Sequence, residues 1–326
     1  MNSFGNHFRV SIFGESHGPM IGITLDGCKP RIPLSEADFE EDIRRRQPGA
    51  KGTTPRIEAD QPKIVSGWYK GYTTGAPLTI LFENQNTRSE DYDNLQKQPR
   101  PGHADWVAMM KFDGFNDPRG GGHFSGRLTL ALVAAGVVAK KMIGPVKVTA
   151  RLTEAGGNTD IEAAIAKAIE EKDSIGGLIE CQASPMPVGL GEPFFDSVES
   201  VLSHAIFAIP AVKGIEFGSG FSAARMKGSE HNDRIISADG KTATNHAGGI
   251  NGGITNGNDL IFRIAIKPTS SISKPQQTLN TESSEVQALV IEGRHDTCIA
   301  LRAPVVVEAV TAIVLAGFPP FPLSRE

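Results

Sequence analysis

Cysteine is scarce in this chain. Cys28, Cys181 and Cys298 are an odd number, far apart and without a CxxC pair, so the sequence indicates neither a disulfide framework nor a structural zinc site. A reducing, cytoplasmic setting fits that usage best. An excess of charge of one sign is also lacking: 33 Lys and Arg stand against 37 Asp and Glu, a net charge of -4. That balance removes any general electrostatic case for nucleic acid or an anionic membrane and leaves an anion site to be built locally. The opening MNSFGNHFR has no basic stretch followed by an apolar run, as a signal peptide would require. The longest apolar run, around Leu128 to Ala139, falls short of the roughly 20 residues that span a bilayer. The expectation is a soluble protein with no membrane or nucleic-acid partner.

Standard ligand signatures are missing as well. There is no G-x-x-x-x-G-K-[ST], and Gly120 to Gly126 does not satisfy G-x-G-x-x-G, so a nucleotide or flavin would need a non-Rossmann site. Eight histidines include no H-E-x-x-H pair, and no metal is expected. What the chain has in abundance is glycine: 36 residues, ~11 %, against about 7 % in typical proteins. Clustered glycine permits positive φ and close backbone approach, and it points to shaped loops around a ligand.

Residues 14 to 18 read GESHG, formally a nucleophile elbow around Ser16. The elbow needs a strand, a strained turn and a helix. Here the following PMIGITLDG alternates like a strand, so the motif sits between two strands and an acyl-enzyme is disfavoured. Ser35 with Asp38 resembles a capping box opening a helix that ends in Arg44-Arg45-Arg46 before Pro48-Gly49. Taken alone, that triplet reads as an exposed, dipole-matched helix end. Strands are predicted at 63–66 and 77–82, and residues 85 to 126 form a long polar, glycine-rich loop region of the kind that is usually functional. A helix from Thr129 to Ile143, apolar on nearly every face, must be buried. Strand 146–152, helix 161–172 behind Asp160, strand 177–181, a helix near 195–209, a glycine-rich loop at 243–257, strand 260–266 and an apolar helix 305–315 complete the order. The two halves suggest an internal pseudo-repeat, weakly supported letter by letter. No linker divides the chain, so residues 1–326 read as one α+β domain with antiparallel sheets packed on buried helices.

Basic residues gather in glycine-bearing loops: Arg46, RPGHAD at 100–105, RGGGHFSGR at 119–127, KPTSS at 267–271 and GRHD at 293–296. Arginine forks and glycine N–H groups are what a phosphate or carboxylate requires, so several such loops in an acidic chain indicate a small polyanionic ligand. His17 and His103, beside these loops, are suited to protonating a leaving phosphate or a cofactor anion. Asp296 reads equally as an ordinary salt-bridge partner or as a base kept ionised by Arg294. The residues alone support an enzyme acting on a small phosphorylated anion. A flavin-dependent oxidoreductase and a non-catalytic phosphate-ligand binder are the alternatives.

Taken in order, the strings FRVSIFGESHG, GCKPRIPLSEADFEEDIRRRQPG, TTPRIEAD, SGWYKGYTTGAPL, RSEDY, RPGHADW, RGGGHFSGR, PVGLGEPFFDSVES, AIPAVKGIEFGSGF, NHAGGINGGITNG, KPTSSI and GRHDTCIALRAPVVVEA resemble chorismate synthase over about residues 4 to 316. The resemblance implies conversion of 5-enolpyruvylshikimate 3-phosphate to chorismate by 1,4-anti elimination of phosphate, with reduced FMN (FMNH2) and no net redox change. It also implies a β-α-β sandwich and a homotetramer. Some family members reduce their own flavin with NADPH and others depend on an external reductase; no inserted segment suggests a reductase function here, so NADPH is expected to act only indirectly, through an external flavin reductase. By motif match, Arg46, Arg100, Arg127 and Arg294 would bind the substrate's phosphate and carboxylates, with Ser125 nearby. His17 would protonate the departing phosphate and His103 the reduced flavin. Asp296, with Ser16 or Ser125, would form the path for the C6 proton. FMN contacts would come from His123, Phe124, Ser125, Ala211, Gly252, Lys267, Pro268, Thr269, Ser270, Ser271 and Arg294. Two departures stand out. Many relatives have Arg-Ser-Ser-Ala-Arg-Glu-Thr where this chain has His123 to Thr129, and Gly52 replaces an arginine for which Lys51 is the candidate substitute. The ending FPPFPLSRE reads as a short exposed extension.

Overall fold

A computed structural model describes residues 1–54, 58–85, 97–291 and 295–319. The chain opens with strands β1 (Ser3–Phe4), β2 (Arg9–Gly14) and β3 (Met20–Asp26). The backbone N–H of Ser35 donates to the Asp38 carboxylate at 2.7 Å, closing the expected capping box before α1 (Glu40–Arg46). Next come β4 (Lys63–Ser66), the small ribbon β5 (Trp68–Tyr69) and β6 (Tyr72–Thr73), and β7 (Leu78–Glu83). Helices α2 (Asp105–Lys111) and α3 (Thr129–Met142) lead to β8 (Lys147–Ala155), α4 (Ile161–Glu170) and β9 (Gly177–Ser184). The remaining elements are α5 (Val198–Ile206), β10 (Val212–Phe217), α6 (Gly228–His231), the ribbon β11–β12 (Ile250–Asn251, Ile254–Thr255), β13 (Leu260–Ile266), the hairpin β14–β15 (Gln276–Asn280, Glu285–Leu289) and α7 (Pro304–Gly317).

Two antiparallel sheets face each other across the helices. One runs β1-β2-β3-β7-β4 and the other β10-β13-β9-β8. Alternation drives both: Ile21, Ile23 and Leu25 of β3, Leu78, Ile80 and Phe82 of β7, and Leu260, Phe262, Ile264 and Ile266 of β13 point inward and are buried. Each such side chain contributes roughly 1.5–3 kcal/mol when fully buried. Between the sheets, α3 packs on α7 and on β3, while α7 packs on β8 and β9. Every residue from Thr129 to Ala139 is buried, as is every residue from Val305 to Leu315. This is the expected β-α-β sandwich, with a contiguous core drawn from Phe8 to Leu315.

The structure departs from the sequence expectations in several places. The region 85–126 contains a helix, α2, and ends in a tight 3-10 segment at Arg119–Phe124. Strand β10 and the hairpin β14–β15 were not anticipated, and the glycine-rich loop at 243–257 contains the ribbon β11–β12. The helix near 195–209 is shorter and starts at Val198, capped by Ser197 Oγ accepting from Ser200 N at 3.1 Å. Arg46 is buried, so the reading of the arginine triplet as an exposed helix end holds only for its first members. Residues 320–326 of the C-terminal extension lie outside the described residues.

Candidate active site

Ser16 and His17 occupy the turn between β2 and β3 and are both buried. No helix follows Ser16, so the structure offers no nucleophile elbow. The turn is held by Ser16 N donating to Gly122 O at 3.1 Å, and by Asn84 Nδ2 donating to the carbonyls of Glu15 and Gly18 at 3.0 and 2.8 Å. The triglycine Gly120-Gly121-Gly122 approaches it with φ of 61, 81 and 54°. A Cβ on Gly120 would stand 2.6 Å from His17 Cδ2 and 2.8 Å from Ser16 Oγ, and one on Gly121 would stand 3.3 Å from His103 Cε1. The two histidines singled out from sequence therefore rest on consecutive peptide units. Only glycine combines that backbone conformation with that closeness.

Behind His103 lies a charged knot. Arg100 grips Asp105 in bidentate fashion, Nε to Oδ2 at 2.7 Å and Nη2 to Oδ1 at 2.8 Å, and its Nη1 donates to Ser271 Oγ at 3.1 Å. His103 Nδ1 lies 2.5 Å from Asp105 Oδ1 and 3.0 Å from Arg100 Nη2. Burial alone would raise the Asp105 pKa, but hydrogen bonds from Arg100 and His103 outweigh it and hold the carboxyl well below its usual range. Lys267 Nζ donates to the Gly102 carbonyl and to Ser270 Oγ, which ties the KPTSS segment to the same loop. Burial and the neighbouring Lys213 charge lower the Lys267 pKa. A cavity of ≈ 280 Å³ opens beside His103, bordered by Gly121, Phe124, Asp117 and Lys97.

The second group of cations meets at the start of α3. Arg46 Nε donates to Thr129 Oγ1 and Nη2 to Gly126 O, each at 2.9 Å, and Nη1 lies 3.7 Å from Asp60. Arg127 donates to the other oxygen of Asp60 and to Asn84 Oδ1 at 3.0 Å. Burial, reinforced by the positive charge of Arg302, pushes the Arg46 pKa down, and Asp60 only partly offsets this. A guanidinium so placed would be stabilised by an incoming anion. Asp296 accepts from Thr54 N at 3.0 Å and from Arg302 Nε and Nη2 at 3.1 and 2.6 Å, while Arg302 Nη1 reaches Arg46 O at 3.3 Å. Thus Asp296 joins the arginine cluster through Arg302. Arg294, the neighbour expected from sequence, lies outside the described residues.

Other expected residues are placed as follows. Ser125 Oγ accepts from Arg127 N at 3.3 Å, and Phe124, partly exposed, faces Phe112 with ring centroids 6.3 Å apart. His123 has Nδ1 2.8 Å from Gly14 O and Nε2 3.1 Å from Asn2 Oδ1, so its ring is engaged with the N-terminal strands. Ala211 adopts φ 72° and its carbonyl accepts from Lys267 N at 2.9 Å. Pro268 is exposed and Ser271 buried. Gly252 sits at the exposed tip of β11–β12 with φ 61°, and a Cβ there would meet open space. Gly52 has φ 90° and its missing Cβ would stand 2.6 Å from Ile165 Cγ2, so an arginine does not fit this backbone; Lys51 points outward and is exposed. Sequence reasoning missed Asp60, Asn84, Asp105, Thr129 and Arg302. Asp105 lies in the RPGHAD loop already singled out, two residues after His103, and that spacing was its available signal; Asp60, Asn84, Thr129 and Arg302 carried none, because each takes its role from a group folded against it.

Two buried hydroxyls, Ser16 Oγ and Thr269 Oγ1, have no hydrogen-bond partner among the described residues. Buried polar groups are normally satisfied. Ser16 Oγ beside His17 and Thr269 Oγ1 on the KPTSS segment are therefore free to bond a polar ligand.

The family model for chorismate synthase matches residues 8–318. The chain is 63% identical over 319 residues to the chorismate synthase of Chitinophaga pinensis, covering 98% of this chain and 96% of that one. It is 44% identical to the chorismate synthase of Korarchaeum cryptofilum, covering 96% of each. A crystal structure of chorismate synthase superposes with a TM-score of 0.74 at 26% identity, covering 96% of this chain and 92% of that one.

Proposed function

The chain belongs to the chorismate synthase family, and from that premise we propose how its own side chains convert 5-enolpyruvylshikimate 3-phosphate to chorismate. It is a lyase of aromatic amino acid biosynthesis. The observation that carries the reading is the seating of His17 and His103 on consecutive glycines, beside two knots of buried arginine.

Arg46, Arg127 and Arg100 bind the phosphate and carboxylates by charge-assisted hydrogen bonds, each worth about 1.5–3 kcal/mol. Arg294 completes that set. His17, buried and next to the phosphate-binding side, holds the proton that passes to the departing phosphate oxygen. As the C–O bond to phosphate breaks, the C6 hydrogen is lost on the opposite face, and Asp296 with Ser16 or Ser125 provides its route out. Arg302 holds the Asp296 carboxylate in place through Nε and Nη2, at 3.1 and 2.6 Å. The family's requirement for reduced flavin is met here by Lys267, Pro268, Thr269, Ser270 and Ser271 together with His123, Phe124, Ser125, Ala211 and Gly252. Reduced FMN, when bound, would supply electron density for phosphate expulsion with no net redox change. His103 would hold a proton for that cofactor.

NADPH reaches the reaction only through a separate flavin reductase, and the cytoplasm, where the three unpaired cysteines stay reduced, is the proposed location. Exposed Phe194, Phe195 and Phe221 support a homotetramer that covers them. The test is anaerobic incubation of the purified chain with 5-enolpyruvylshikimate 3-phosphate and chemically reduced FMN, following phosphate release and chorismate absorbance. Product with reduced but not oxidised FMN is the expected result. No product from folded protein with FMN bound would overturn the assignment for this chain. His17→Ala and His103→Ala are each expected to lower turnover by about 10²–10⁴-fold with the fold intact; near-normal turnover in both would refute the roles given to them.

A further inference from the structure

We propose that Asp105 is the positioning residue that fixes the protonation geometry of His103, locking hydrogen onto Nδ1 so that Nε2 alone carries the exchangeable proton toward the site. The proposal rests on the reading of His103 as a proton carrier. Its ground is the geometry around Nδ1. That nitrogen has two neighbours in hydrogen-bond range, Arg100 Nη2 at 3.0 Å, which can only donate, and Asp105 Oδ1 at 2.5 Å, which as a carboxylate can only accept. A bare Nδ1 lone pair would satisfy the arginine but press against the carboxylate oxygen at the shorter distance. An Nδ1–H instead donates to Asp105. Arg100 loses nothing by this, because its Nη2 already has an acceptor in the same Oδ1 at 2.8 Å. The neutral ring is therefore the Nδ1–H tautomer, with its lone pair on Nε2.

The other edge of the ring faces the chemistry. A Cβ on Gly121 would stand 3.5 Å from Nε2, so that nitrogen lies against the triglycine turn, next to the residue that touches His17 and Ser16. The remaining charged groups nearby are Lys267, bonded to the carbonyl of Gly102 one residue before, and Lys97, Asp117 and Glu282 around the cavity that His103 borders. Among the described residues none of these hydrogen-bonds either ring nitrogen, which leaves Asp105 as the group that sets the tautomer. Asp105 is itself fixed by the Arg100 fork and by Arg100 N donating to Oδ2 at 3.0 Å. It lies at the first residue of α2, and this gives that short helix a purpose in the site.

The experiment is nitrogen NMR on histidine-labelled protein without flavin or substrate, above the pH at which the neutral ring predominates. The His103 signals are assigned by their loss in His103→Gln. The expected result is a protonated Nδ1 and an unprotonated Nε2 in the native chain, passing to a mixture with a large Nε2–H fraction in Asp105→Asn. Asp105→Glu, which keeps the charge, should restore most of the native pattern. In steady-state assays Asp105→Asn should lower kcat by about ten- to a thousandfold, with Asp105→Glu closer to the native value. A native His103 found chiefly as Nε2–H, or an unchanged tautomer in folded Asp105→Asn, would overturn the proposal. If the tautomer shifts as expected but His103→Gln turns over normally, the role given to His103 falls, and with it the functional half of the proposal. A merely structural Asp105 would leave the tautomer of the folded variant unmoved.

Discussion

Gly120 shows how little freedom a single position has in this site. Its φ of 61° and the 2.6 Å gap to His17 leave no room for a methyl group. Gly120→Ala should lower turnover by about a hundredfold through displacement of His17, with the far-UV circular dichroism unchanged; a rate within a factor of two of native would show that the turn yields instead. Chemistry at the cysteines is closed off by a different cause. Burial pushes the Cys181 thiol up to about 12 and raises Cys28 and Cys298 as well. Only the thiolate reacts. A thiol-specific disulfide reagent at pH 8 should therefore find no fast-reacting cysteine in native protein and all three after denaturation. At this scale the sequence singled out His17 and His103 by residue type, and the structure sets both against the triglycine turn. The sequence was silent on partners such as Asp60, because a lone aspartate in a chain carrying 37 acidic residues has no distinguishing mark until a cation is folded against it.

Among the elements, α3 and α7 announce themselves by composition, being apolar all round and thus buried. Helix α2 does the reverse. Trp106, Val107 and Met110 are exposed and Ala108 is its buried residue, so DWVAMMK lacks the inward apolar stripe by which a helix is recognised. The hairpin β14–β15 hides for a related reason, since QQTLN carries mostly polar side chains that bond to other segments, as Thr278 Oγ1 does to Pro99 O at 2.6 Å. The elements are fastened around one buried acid. Glu308 of α7 receives both ends of the Arg45 fork at 2.7 and 2.6 Å, Lys140 of α3 at 3.1 Å and the β8 backbone N–H of Ala150 at 2.9 Å. Removing its charge leaves Arg45 and Lys140 to share the single carboxylate of Asp42, 3.1 and 2.7 Å away. Glu308→Gln should destabilise the chain by about 2–3 kcal/mol, read as a lower denaturant midpoint, and an unchanged midpoint would show that solvent compensates the partly exposed Arg45.

For the molecule as a whole, acid should act through these same carboxylates. Burial opposes ionisation of Glu308 and Asp105, but their cationic partners more than reverse it, so both carboxyls titrate below their usual range in the folded chain. Protons consequently bind the unfolded chain first. Their contribution is complete above the ordinary carboxylate value of about 4 and is lost as pH falls through the depressed folded values. Thermal stability should decline steeply below about pH 4, and less steeply in Glu308→Gln; identical slopes would remove Glu308 from the cause.

The described arginines of the site also come with their own counter-charges: Asp60 for Arg46 and Arg127, Asp105 for Arg100, Asp296 for Arg302. Such a site projects little field beyond a Debye length, about 8 Å at physiological ionic strength. A trianionic substrate arriving at a chain of net charge -4 is therefore not drawn in from a distance. Discrimination begins after encounter, when the ligand exchanges its hydration shell for short-range hydrogen bonds from the arginines. Capture should then be governed by that exchange, leaving kcat/KM nearly flat as salt is raised from about 0.05 to about 0.5 M, where an electrostatically steered enzyme would slow markedly.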